Sequence, residues 1–185
     1  MASAADIVVV GTWLVVLGHN AVLAARGLTR GPTPGRWTAG LVILVVVIGS
    51  GATLERANGG PAHLPVLLTV AGALVAVVGA ILHVRARRVL GRTWSASPTS
   101  PRALVDRGPY GRVRHPLYAA LALMGLGTVA AHPSLATLAG TFGLLVGLGV
   151  KLRQEERALA AALGPDWDAY RRRVPCLVPR RRASL

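Results

Sequence analysis

The stretch GPYGRVRHPLY (108–118) gathers arginines, a histidine and two tyrosines at the entrance to a long apolar run. A topological signal needs only positive charge. Arg114, His115, Tyr110 and Tyr118 add directed hydrogen-bonding groups. Pro116 suits the first position of a helix, where its missing N–H has no intrahelical partner to lose. Arg114 and His115 then stand at a helix mouth, where unpaired N–H groups and the helix dipole favour an anion. Tyr118 lies just inside, its hydroxyl at the polar boundary. The stretch reads either as a site for a small carboxylate or phosphate, or as an arginine anchor with an interfacial tyrosine belt.

A second feature is Glu155-Glu156, directly after an apolar segment and against the basic trend around it. These carboxylates can pair with arginines of the preceding long loop. They can also accept hydrogen bonds from two neighbouring hydroxyls, such as those of a ribose. A helix mouth for an anion and a carboxylate for a ribose together suit a nucleoside cofactor that bears a carboxylate.

The elements that must hold these residues are membrane helices. Of the 185 residues, 52% are hydrophobic and 15% charged, with a mean hydropathy of +0.51. That balance indicates an integral membrane protein. The net charge of +14 first suggests nucleic acid. The arginines fall between apolar runs, however, as membrane insertion selects, so the expected partner is the bilayer and not a nucleic acid. Cys176 has no second cysteine to pair with and is read as a reduced bystander. The first apolar run lacks a basic n-region and a cleavage site, and is taken as a retained helix.

Five apolar segments emerge, at roughly Ile7 to Ala25, Trp37 to Leu54, Leu64 to Val84, Pro116 to Ala131 and Ser134 to Val150. The expected fold is an all-α integral membrane protein with five transmembrane helices. The last two, joined by His132-Pro133, form a short hairpin that either crosses or is partly re-entrant. Residues 1–63 form an N-terminal helix pair and residues 64–185 the core. All basic residues except Arg56 fall on one face when the segments alternate. The positive-inside rule makes that face cytoplasmic, with the N-terminus outside and the C-terminus inside. The composition, rich in Ala, Arg, Gly and Val, suits a bacterial cytoplasmic membrane. After the fifth segment the helix continues to Gly164-Pro165, and Asp166 is expected to cap a short helix that ends before Val174-Pro175. The closing RRRASL suits anionic lipid.

The remaining polar residues are assigned conservatively. His19-Asn20 is expected to hydrogen-bond between helices. His83, at the inner end of the third segment, is left unassigned, and His63 and His132 belong to the outer face. No cluster has zinc-like spacing, so no metal is expected.

RHPLY (114–118), an apolar hairpin, EERAL (155–159), LGPDWDAY (163–170) and VPCLVP (174–179) together resemble the isoprenylcysteine carboxyl methyltransferase family. LGRTWS (90–95) and LVDRGPYGRVRHP (104–116) are similar to its loop. That family is grouped with the phospholipid N-methyltransferases as membrane enzymes that use S-adenosyl-L-methionine. The resemblance covers about residues 70–179. It implies a cofactor pocket at the cytoplasmic end of the hairpin, closed by the cytosolic C-terminal helical segment. His115 and Tyr118 would stand beside the cofactor, with Glu155 or Glu156 on the opposite wall and Tyr110, Trp167 and Tyr170 lining or closing it. Arg114 would orient an acidic group of cofactor or substrate, and Arg114 and Glu156 are the expected catalytic residues.

Two departures stand out. Ala120 occupies a position where the family often has glycine, and a glycine pair of the phosphatidylethanolamine enzymes has no clean counterpart. Gly125 and Gly127 are read as helix packing. The implied activity is methyl transfer to a lipid-like or prenylated acceptor that enters from the bilayer. The alternatives are a phospholipid or small-molecule N-methyltransferase, or a non-enzymatic scaffold or channel subunit.

Overall fold

A computed structural model describes residues 4–26, 65–90 and 104–179. These form helices α1 (Ala4–Ala25), α2 (Val66–Leu90), α3 (Pro116–Ala131), α4 (Leu135–Leu163) and α5 (Pro165–Arg173), with a 3-10 turn at Gly108–Gly111. There is no strand among the described residues. The predicted second segment (37–54), much of the loop before residue 104 and the last six residues lie outside them.

The helix ends follow from local chemistry. Pro116 opens α3 with His115 at the N-cap. Pro133 cannot continue a helix, because it lacks an N–H and crowds the preceding turn. The chain restarts at Ser134, whose side chain accepts from the Thr137 N–H while Thr137 answers the Ser134 N–H, a reciprocal capping box. α4 then runs for 29 residues and carries Glu155 and Glu156 beyond its apolar part. It stops at Gly164, whose φ of +50° suits a residue without Cβ. Gly164, not Asp166, is the N-cap of α5, and no side chain caps that helix. Pro165 fills the first helical position, which leaves Asp166 inside the first turn.

Three of the described helices, α1, α2 and α4, are long and apolar enough to cross a membrane, while α3 is a shorter apolar helix of 16 residues. Many large apolar side chains point outward, among them Ile7, Leu14, Leu67, Leu74 and Phe142. Large apolar side chains exposed in this number fit a lipid environment.

α2 and α3 pack backbone against backbone. A Cβ at Gly127 would lie 2.6 Å from the Ala76 nitrogen and 2.6 Å from the Gly72 carbonyl oxygen. One at Gly79 would lie 2.8 Å from the Ala120 carbonyl oxygen. Small residues permit this approach, as is usual between membrane helices. Gly125, two positions from Gly127 and therefore on the far side of the helix, instead faces Thr141 and Leu144 of α4. Ala120 is wholly buried in the α2 contact and so acts in packing.

Polar contacts join α1 to this pair. His132 meets Asp6 at 2.5 Å, Trp13 donates from Nε1 to Thr128 Oγ1 at 3.1 Å, and Asn20 Nδ2 lies 3.2 Å from His83 Nε2. The last is the expected interhelical bond of Asn20. α1 and α2 therefore run in the same direction and α3 opposes both, which puts Arg26 and Pro65 at opposite ends. α4 packs back along α3, with Thr141 Oγ1 donating to the Gly125 carbonyl near its start and Glu155 meeting Tyr118 near its end.

Candidate active site

The start of α3 and the end of α4 meet where the sequence placed its chemistry. His115 and Tyr118 are separated by about one helical turn, and their rings stack nearly parallel with centroids 5.5 Å apart. Glu155 and Glu156 are adjacent on α4 and so diverge by about 100° around the helix. One carboxylate consequently turns to the tyrosine and the other to the mouth. Tyr118 donates from its hydroxyl to Glu155 Oε2 at 2.5 Å. Arg114 donates from Nε and Nη2 to Glu156 Oε1 at 3.0 and 2.8 Å. His115 Nε2 lies 3.2 Å from that same oxygen, and its Nδ1 lies 3.8 Å from Glu155 Oε2.

The anion at this helix mouth is thus supplied by the chain itself. Arg114 Nη1 donates to the carbonyl oxygens of Arg171 and Val174 at 3.0 and 2.9 Å, so every guanidinium nitrogen has a protein partner. Sequence reasoning gave this fork to an acidic group of cofactor or substrate. In the structure it ties the mouth to the C-terminal segment.

That segment is a strap across the mouth. The Arg114 N–H donates to the Pro175 carbonyl at 2.8 Å and the His115 N–H to the Cys176 carbonyl at 3.1 Å. Trp167, Tyr170 and Val174 are buried together with Leu104, Leu159 and Leu163 packed against them. The Arg114 guanidinium lies 5.9 Å from the Trp167 ring, within cation–π range. Tyr170 donates from its hydroxyl to the Tyr110 carbonyl at 2.7 Å. Tyr170→Phe leaves that carbonyl without its partner, so the variant should be less stable by about 1–3 kcal/mol. The measurement is thermal unfolding together with protease cleavage in 165–179; unchanged values for both would deny Tyr170 this anchoring role.

Electrostatics sets the proton positions. Burial holds the His115 imidazole below its ordinary range, while the Glu155 and Glu156 carboxylates push the other way. A neutral ring that donates from Nε2 to Glu156 leaves Nδ1 as an acceptor facing Glu155. This wall therefore seeks donors. Burial raises the Cys176 thiol, and Glu156 adds to that effect. The thiol stays protonated, 4.0 Å from Glu156 Oε1.

Cys176 is a free thiol, as expected, and it lies at the mouth. His115, Glu156 and Cys176 bring their donor atoms within 4.8 Å of one another. The Arg114 guanidinium already occupies the shared Glu156 oxygen, and its charge opposes a second cation there. Spacing could not reveal this group, because its members come from three separate segments. Sequence reading also missed Arg87, which is 1% exposed on the inner face of α2. In the run RARR it counts only as a topogenic charge. Its place one turn beyond His83, on the face that carries Ala76 and Gly79, was the available signal.

Residues 67–166, more than half of the chain, match the family described as phospholipid methyltransferase, and the chain belongs to that family. The family contains isoprenylcysteine carboxyl methyltransferase-like members. No curated protein matches the sequence. The protein is accordingly a membrane methyltransferase by family, and the matched span ends at Asp166, just past the helix that carries both glutamates.

Proposed function

We propose that this chain transfers a methyl group from S-adenosyl-L-methionine to the carboxylate of a lipid-like acceptor at the cytoplasmic membrane face. The observation that carries the reading is the donor-seeking wall of Glu155, Glu156 and neutral His115, built at one end of an apolar helical bundle. Such a wall fits the ribose hydroxyls and the ammonium group of this cofactor, which supplies an electrophilic methyl when bound. Glu155 and the His115 Nδ1 would accept from it, and Tyr118 would hold Glu155 in place. Tyr110 and Tyr170 would line the pocket through the 3-10 turn and the strap.

Arg114 and Glu156 enter this reading as a pair. By tying the strap to the mouth they keep the carboxylates oriented and water excluded, which is most of what an in-line displacement asks of a protein. A carboxylate acceptor is already ionised and needs no base. Phospholipid N-methylation is the second reading, favoured by the family description and by a glutamate in reach to take the proton of an amine.

The test is calorimetric binding of S-adenosyl-L-methionine to detergent-purified protein. Labelled-methyl transfer to a prenylcysteine and to phosphatidylethanolamine vesicles follows. A base-labile methyl ester marks the first reading and a base-stable amine the second. Glu155→Gln or Glu156→Gln keeps the shape but removes a charged acceptor, a loss of about 1.5–3 kcal/mol, or tenfold or more in cofactor affinity. Wild-type binding by both single variants would sink the glutamate wall as the cofactor site.

A further inference from the structure

Beside the mouth, the last turns of α2 carry polar groups that the proposed cofactor wall does not use. His83 and Arg87 lie one turn apart on the buried face of that helix and are 5% and 1% exposed. Asn20 of α1 donates from its amide to His83 Nε2 at 3.2 Å. With Nε2 accepting, the ring proton belongs on Nδ1, which is buried without a hydrogen-bond partner. Tyr110 stands on the 3-10 turn that packs against α2 where Gly108 meets Val89. Its hydroxyl is likewise buried and has no partner. The charges of Arg87 and Glu155 both reach that hydroxyl.

An imidazole N–H, a phenol O–H and a guanidinium share one chemistry, since each offers a proton. A buried donor left unpaired costs about 1–3 kcal/mol. Two of them beside a buried cation are satisfied together by an oxyanion, and no neutral apolar group could do so.

We propose that Arg87, His83 and Tyr110 receive the oxyanion, carboxylate or phosphate, at the polar end of the methyl acceptor. The assignment rests on the methyltransferase reading above and adds the acceptor side to its cofactor side. Arg87 neutralises the anion among apolar helices, and His83 and Tyr110 fix its oxygens. The Glu155 carboxylate, whose charge also reaches Tyr110, repels the same anion from the cofactor wall. The two partners are thereby sorted by charge.

The experiment titrates three probes with a common tail into detergent-purified wild type, Arg87→Gln, Arg87→Lys and Tyr110→Phe. The probes are N-acetyl-S-farnesylcysteine, farnesyl phosphate and neutral farnesol, and S-adenosyl-L-methionine affinity is measured separately. Wild type should bind one anionic probe at least about tenfold more tightly than farnesol, and the one preferred tells carboxylate from phosphate. Arg87→Gln should lose about ten- to hundredfold for that anion while farnesol and cofactor affinity stay unchanged. Arg87→Lys keeps the charge without the fork and should fall between. Equal binding of anionic and neutral probes by wild type, or an undiminished anion preference in Arg87→Gln, overturns the assignment. If Arg87→Gln does not fold, Tyr110→Phe decides. A loss of about threefold or more for the anion relative to farnesol supports the site, and no change in that preference rejects it. Wild type that ignores S-adenosyl-L-methionine yet shows an Arg87-dependent anion preference rejects the methyltransferase reading and keeps the oxyanion site.

Discussion

Gly127→Leu should leave no folded, monodisperse protein in detergent. Even the first carbon of a side chain at this position would lie 2.6 Å from backbone atoms of α2, where nothing can rotate aside. Gly127→Ala should already lower stability by about 1–3 kcal/mol, the usual range for forcing atoms into a packed interior. Leucine adds three more carbons and must push α2 and α3 apart. That separation would also displace the start of α3 from the end of α4, so the site fails with the fold. Gly143 on α4 is the control, because nothing lies within 4 Å of a Cβ there. Gly143→Ala should be neutral or stabilise by up to about 1 kcal/mol through helix propensity. The readouts are yield, gel-filtration profile and thermal unfolding. A well-folded Gly127→Leu protein would show that the close approach of these helices is dispensable.

Arg114→Lys should lower methyl transfer at least tenfold while the protein still inserts. Lysine supplies the same positive charge, so insertion has no reason to change. It cannot, from one nitrogen, satisfy Glu156 Oε1 and the carbonyls of Arg171 and Val174 in the geometry of a planar fork. Bonds to a charged group are worth about 1.5–3 kcal/mol each, so losing even one accounts for the tenfold. Arg112, exposed and two residues away, is the matched control, and Arg112→Lys should be silent. The strap in Arg114→Lys should also become more sensitive to protease. Full activity with a protected strap would return Arg114 to the role of a topological anchor.

The sequence was legible where chemistry is local. Pro116 starting α3, Pro133 ending the run after it and Gly164 stopping α4 all act within one turn, and each boundary fell as the residue types required. The grouping of Arg114, His115 and Tyr118 with Glu155 and Glu156 was legible through the family resemblance and through their common place at one end of the bundle. Who pairs with whom was not. The bond from the Arg114 N–H to the Pro175 carbonyl uses backbone atoms that every residue has, so no side-chain pattern announces it. Gly164 displaced Asp166 from the cap because one residue closes α4 and opens α5, leaving no room for a separate cap. Arg87 was hidden by its neighbours, since only packing tells a buried arginine from exposed ones beside it.

On the proposed reading, the unequal lengths of the helices set the depth at which methyl transfer takes place. At about 1.5 Å per residue, the 16 residues of α3 span about 24 Å, less than a hydrocarbon layer of about 30 Å. α2 and α4, with 25 and 29 residues, extend to about 37 and 43 Å. At the mouth α4 runs on for seven residues past Glu156, so on the proposed reading the mouth is the floor of a recess below the end of that helix. Raising a fifteen-carbon tail wholly into water would cost about 12 kcal/mol, at about 0.8 per methylene. A reacting end that descends to the floor instead keeps its tail in oil throughout. For any acceptor with such a tail, the short helix removes the extraction step from the reaction coordinate.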